Sequence, residues 1–121
     1  MEQKSFFQLQ KVEDSMYDVL LNKEHPLFET HFPDFPILPG SCSTMIIRTA
    51  VELEKKENYR LRKVNSMKFI HPILPDEIKV LHLSINISDE ENRQIRVKTV
   101  IKSDEFVHAK GDLIFEVRSK D

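Results

Sequence analysis

The chain has 121 residues, 40 % of them hydrophobic and 31 % charged, which suits one soluble domain, residues 1–121, large enough to bury a real core. Its formal net charge of −2 argues against general nucleic-acid binding, its single cysteine (Cys42) excludes an intramolecular disulfide, and no Cys/His cluster has zinc spacing. The opening MEQKSFFQLQ has no apolar signal core and no run approaches the ~18 apolar residues of a membrane span, so the expected location is a reducing cytoplasm.

Ser5 to Val12 carries Phe7 and Leu9 between polar residues and reads as a first strand. Glu13-Asp14-Ser15 is a turn, and Met16 to Leu21, with Tyr17, Val19 and Leu21 in alternation, is a second strand. His25 to Gly40, HPLFETHFPDFPILPG, then holds four of the six prolines: Pro26, Pro33, Pro36 and Pro39. Proline fixes φ and removes a backbone donor, so this stretch is expected to be a stiff irregular loop, neither helix interior nor central strand.

Gly40, one of only two glycines, delivers that loop onto SCSTMIIRTAVELEKKE. Ser41 to about Lys56 is the one convincing helix: Cys42, Met45, Ile46, Thr49, Ala50 and Leu53 recur at three- and four-residue steps as an apolar stripe. Ser41 is its expected N-cap, and Lys55 and Lys56 suit the negative end of the helix dipole. Ile47 and Val51 extend the apolar arc, so the helix is expected to be covered on several sides.

After Tyr59 the pattern turns to strands. Leu61 to Ile70 is one, His71-Pro72-Ile73-Leu74-Pro75-Asp76 a second rigid connection, and Ile78 to Ser88 a long strand. The apolar parity of that strand changes after Val80, which predicts a bulge or bend. Gln94 to Lys102 and Phe106 to Val117 complete six strands around one long helix, an α+β pattern. His82 and His108 fall on the polar parity of their strands and are expected at the surface. His25, His71, His82 and His108 have no mutual spacing that suggests a metal site.

Two segments together carry a resemblance. HFPDFPILPG (residues 31–40) is similar to the His-Phe-Pro-Gly-x-Pro-x-x-Pro-Gly signature of the hot-dog-fold 3-hydroxyacyl carrier-protein dehydratases. MKFIHPILPDEIKV (residues 67–80) resembles the same family's Lys-Phe-x-x-Pro-Val-x-Pro-Gly-Asp segment, in the same order and at about the same spacing. The resemblance implies a hot-dog fold: a curved antiparallel sheet wrapped around one central helix. It also implies a dimer joined through its sheets, with active sites between chains. That partner is a second copy or a related hot-dog chain. The implied substrate is a thioester on acyl carrier protein or coenzyme A, with no cofactor and no metal.

By the same resemblance His31 is the catalytic histidine, and Gly40 and Ser41 offer backbone N–H groups to the thioester carbonyl. Those roles suit the chemistry. Dehydration needs a base at the α-carbon and a proton donor at the β-hydroxyl, and histidine suits these proton steps because its unperturbed pKa is near ~6.5. Fixed N–H donors at a helix N-terminus polarise the carbonyl. The chain departs from the pattern in three places. Thr30 and Asp34 stand where the signature has glycine; aspartate tolerates a left-handed turn better than most residues. Met45 stands where the family has Glu or Asp, and methionine has no proton to transfer. Glu52 lies two turns away, and Glu29 and Asp34 are possible stand-ins or solvated loop charges. Cys42 is either a first-turn nucleophile or a small buried side chain.

Lys55, Lys56, Arg60, Arg62, Lys63 and Lys68 make the segment after the helix basic. With Arg48 as an anion contact, Lys55, Lys56, Arg60 and Arg62 are candidates for docking an acidic carrier protein, or form a solvated edge. Three readings share these features: a dehydratase, a hot-dog thioesterase, and a non-catalytic acyl-binding subunit paired with a related chain.

Overall fold

The structure is a computed structural model and describes residues 5–30 and 37–118, without the side chains of residues 29 and 30. Six strands and two helices follow in the order β1 (Phe7–Glu13), β2 (Met16–Leu21), α1 (Pro26–Thr30), α2 (Gly40–Lys55), β3 (Tyr59–Phe69), β4 (Val80–Asp89), β5 (Gln94–Lys102) and β6 (Val107–Val117). The strands form one sheet ordered β1-β2-β4-β5-β6-β3, antiparallel at every step. One long helix against one antiparallel sheet is the hot-dog arrangement.

The core lies between α2 and the inner face of the sheet. Ile46, Ile47, Ala50 and Val51 of α2 are at most 1 % exposed, and they meet Tyr17, Val19, Leu81, Leu83, Val97, Leu113 and Phe115 from the strands. Each such large apolar side chain contributes roughly 1.5–3 kcal/mol by leaving water. The buried face of α2 is Cys42, Ser43, Ile46, Ile47, Ala50 and Val51. The expected stripe is therefore displaced: Met45 is 45 % and Leu53 53 % exposed. The apolar arc is wider than the sheet can cover, and packing selects the side bearing the β-branched Ile47 and Val51.

Two expectations about elements need correction. The proline stretch is not irregular throughout, because Pro26–Thr30 is a short helix. Pro26 stands at its first position, where a missing N–H costs nothing. His25 opens the turn: its Nδ1 accepts the Leu27 N–H at 3.0 Å and its carbonyl the Phe28 N–H at 3.0 Å. Phe28, 3 % exposed, anchors the turn in the core. The second correction concerns Ile78. No bulge interrupts β4; Ile78 belongs to a turn in which its N–H donates to the Leu74 carbonyl at 2.9 Å, and the strand starts only at Val80.

Bulges occur elsewhere. β3 shifts register twice against β6, between Leu61 and Lys63 and between Val64 and Ser66. Another shift lies where Ile101 pairs Ala109 but Lys102 pairs Val107. The extra residue there is His108, and the slip turns it inward to 1 % exposure, so the expected surface histidine is buried.

His82 does lie near the surface, but it is engaged. Its Nδ1 lies 2.8 Å from Asp18 on β2 and its Nε2 2.9 Å from Asp104 in the β5–β6 turn. Those two carboxylates raise its pKa, Asp18 contributing most. A raised folded-state pKa stabilises the fold fully below the unfolded value of ~6.5 and loses that stabilisation as pH rises through the folded value. Wild type should therefore lose more stability than His82→Gln between about pH 6 and pH 8 in urea unfolding. Equal losses in the two proteins would remove His82 from the pH dependence.

Candidate active site

The first turn of α2 is the centre of the site. Its N-cap is Pro39, in extended conformation at φ −62° and ψ 146°, and no side chain caps the helix start. Ser41, the expected cap, lies inside the helix; its carbonyl accepts the Thr44 hydroxyl at 2.8 Å. A proline has no side-chain acceptor to give, so capping is left to the backbone: the Cys42 N–H donates to the Pro39 carbonyl at 3.0 Å. Among the described residues, the positive end of this 16-residue helix is thus left without a side-chain cap.

The two proline segments of the sequence meet here. The Leu38 N–H donates to the Ile73 carbonyl at 2.9 Å, tying the approach to the helix onto the loop after β3. The end of β3 also reaches Gly40. A Cβ built on Gly40 would lie 2.8 Å from the Phe69 Cζ. Glycine is needed for this close approach, rather than for an unusual φ. Phe69 is the site residue that the sequence reading missed; its only signal is the Lys-Phe of the second segment. Because the ring is 59 % exposed, Gly40→Ala can push it aside. The variant should keep its fold, losing about 1 kcal/mol at most, while the displaced ring obstructs the helix start and lowers any thioester activity. Full activity in a folded Gly40→Ala would take Gly40 out of the site.

His31 and Asp34 lie outside the described residues, as does the side chain of Glu29. Met45, the position of the missing acid, is ~7.5 Å along the axis from Gly40 and faces outward. One turn further, Arg48 is half-buried, and its Nε is buried with no hydrogen-bond partner among the described residues. Glu52 is committed elsewhere, its Oε2 accepting the Tyr59 N–H at 2.8 Å. Cys42 is 5 % exposed, and burial pushes its thiol pKa up against a smaller opposing effect of Ser41, the reverse of what a thiolate nucleophile needs.

The candidate docking residues do not form one patch with the helix start. Lys55 and Lys56 sit at the other end of α2, ~22 Å from Gly40 along the axis. Arg60 and Arg62 flank Glu116 on β6, at 2.7 and 3.5 Å, and their side chains remain over 60 % exposed.

The edge strand β3 presents a second open surface. Leu61, Val64 and Phe69 pair with the inward-facing Phe115, Leu113 and Ala109 of β6, yet they are 38 %, 42 % and 59 % exposed. An apolar row beside an unpaired strand edge calls for a cover.

Comparison with known proteins gives the family and the fold. A family model described as ApeI-like, ApeI dehydratase, matches residues 8–112. No curated protein sequence matches the chain. Among solved structures, the ApeI:P dehydratase heterocomplex from Xenorhabdus doucetiae is similar at a TM-score of 0.64 and 18 % identity, over 92 % of this chain and 95 % of that one. The BH2602 protein of Bacillus halodurans, solved with CoA, has a TM-score of 0.66 at 17 % identity over 94 % and 75 %. A hypothetical thioesterase from Streptococcus pneumoniae, solved with coenzyme A, has a TM-score of 0.65 at 11 % identity over 93 % and 86 %. At such identities the structures speak for the shared hot-dog fold, and the family match covers most of the sequence: the chain belongs to the ApeI-like dehydratase family.

Proposed function

We propose that this protein removes water from 3-hydroxyacyl thioesters to give trans-2-enoyl thioesters, in synthesis of the fatty-acid, polyene or polyketide type, in a reducing cytoplasm. The observation that carries the reading is the start of α2: a helix N-terminus at Gly40 whose N-cap, Pro39, has no side-chain acceptor, held by the Leu38–Ile73 hydrogen bond. Backbone N–H groups of Gly40 and Ser41 polarise the thioester carbonyl, which acidifies the α-carbon. His31 takes the α-proton and returns a proton to the β-hydroxyl, which leaves as water while the double bond forms. The thioester is carried on acyl carrier protein or coenzyme A, with Arg48 as an anion contact and Lys55, Lys56, Arg60 and Arg62 as an outer docking surface.

The exposed Met45 and the apolar row on β3 favour a site completed by a second hot-dog chain seated along that edge, either a copy or a related protein. A related protein is favoured by Met45 itself, because a copy brings another methionine where the family has an acid. In that arrangement this chain is an acyl-binding subunit and its partner supplies the carboxylate. Thioester hydrolysis at the same helix start is the competing chemistry, and a structural neighbour is named a hypothetical thioesterase.

Elimination is reversible, so the proposal is tested by hydration of a short trans-2-enoyl-CoA, followed as loss of enoyl absorbance. Hydration catalysed by the protein supports it. Release of free coenzyme A without hydration transfers the site to the thioesterase reading.

A further inference from the structure

Among the described histidines only His108 is buried, and it joins the segment that follows Phe69 to the β5–β6 turn. Its backbone carbonyl accepts the N–H of Ile70 at 2.8 Å and of His71 at 3.3 Å. Its Nδ1 lies 3.2 Å from the His71 carbonyl. The His71 residue is therefore gripped at both its N–H and its C=O by one neighbour. A carbonyl cannot donate, so Nδ1 carries the proton; in the neutral ring Nε2 is then an acceptor, and the Ser103 hydroxyl donates to it at 2.8 Å.

Ser103 is fixed in turn. Its N–H donates to the Phe106 carbonyl at 2.9 Å and its Oγ accepts the Phe106 N–H at 3.4 Å. The Phe106 ring stacks on the His71 imidazole with centroids 4.2 Å apart and planes at 26°. The strand end after Phe69 is thus held by the β5–β6 turn through His108. Phe69 itself is 59 % exposed, so side-chain packing does little to hold it; the anchored backbone beside it does.

We propose that His108 is a positioning residue for the candidate site: by clamping Ile70 and His71 it keeps the Phe69 ring on Gly40 and so sets how the start of α2 is presented to a thioester. Its bearing on catalysis rests on the reading of Gly40 as the carbonyl-binding group. The aromatic ring forms an apolar wall beside those N–H groups, where excluding water strengthens their hold on a developing oxyanion. A ring freed by a loosened strand end would uncover them.

NMR of the full chain tests the clamp without requiring activity. The Phe69 ring current displaces the Gly40 resonances, and Phe69→Leu defines their position without it. His108→Leu should move Gly40 most of the way to that position and raise amide exchange at His71. His108→Asn, which keeps a donor near the place of Nδ1, should restore both. If His108→Leu does not fold, Ser103→Ala is read in the same way and should produce a smaller shift in the same direction. Gly40 resonances unmoved in a folded His108→Leu, or in Ser103→Ala where that variant decides, overturn the proposal. The hydration assay is the separate arm. There His108→Leu should lower kcat more than it changes KM, with recovery in His108→Asn. A wild-type protein with no activity would defeat the catalytic reading and leave the NMR result to stand or fall by itself.

Discussion

Replacing His31 by alanine should abolish enoyl formation, a loss of at least ~10²–10⁴-fold in kcat/KM, because among the described residues no other group near the start of α2 is placed to move the protons. Glu52 accepts the Tyr59 N–H, the Cys42 thiol is buried with a raised pKa, and Met45 has no proton to give. The fold should survive. On either side of residues 31–36 the chain is held by Pro39, by the Leu38–Ile73 hydrogen bond and by the burial of Phe28, none of which depends on the His31 imidazole. The melting temperature of His31→Ala should therefore stay close to that of wild type. Wild-type turnover in the variant would remove His31 from the mechanism and with it most of the proposed function.

The second large effect is expected at Met45. Installing Met45→Glu places a carboxyl group on the outer face of α2, ~7.5 Å along the axis from Gly40. If the missing acid limits a homodimer, turnover should rise, by up to the ~10²–10⁴-fold that general acid–base assistance typically supplies. Stability should change little, within about 0.5 kcal/mol, since the side chain is 45 % exposed and lies outside the buried face of α2. A rise identifies this chain as half of a site whose acid normally comes from a related partner. No rise, with good activity in the unmodified protein, means that His31 handles both proton steps alone or that Glu29 or Asp34 assists it.

Much of this architecture is legible in the residues. The two strands with clean alternation, Met16–Leu21 and Gln94–Lys102, have the ends that alternation predicts. Period-two patterning survives wherever the sheet is regular. It fails at His108, where one bulged residue reverses the parity and sends a nominally outward histidine into the core. It fails again at Ile78, which looks like strand but closes the turn that begins at Leu74, because an apolar residue in alternation carries no mark of its backbone state. On α2 the number of apolar residues exceeds what one sheet covers, so the stripe alone does not say that Met45 and Leu53 are left outside.

At the site, Pro39-Gly40 before an apolar run announces the helix start. The contact of Gly40 with Phe69 has no local signal, since it joins residues far apart in the chain and depends on how β3 ends. Why Arg48 buries its Nε without a partner is equally invisible in sequence. The docking candidates Arg60 and Arg62 read as free cations, yet both lean on Glu116, a residue three strands later in the chain order and adjacent only in the sheet.

The central claim is that the start of α2 and His31 serve elimination of water from a 3-hydroxyacyl thioester. The most direct test is to incubate the purified protein with a 3-hydroxyacyl carrier-protein thioester and follow the acyl carrier protein by mass spectrometry, with Met45→Glu alongside. Loss of one water from the carrier-bound acyl group, in the wild type or in Met45→Glu, is the predicted result. Free acid with unloaded carrier, or substrate unchanged by both proteins, would contradict it.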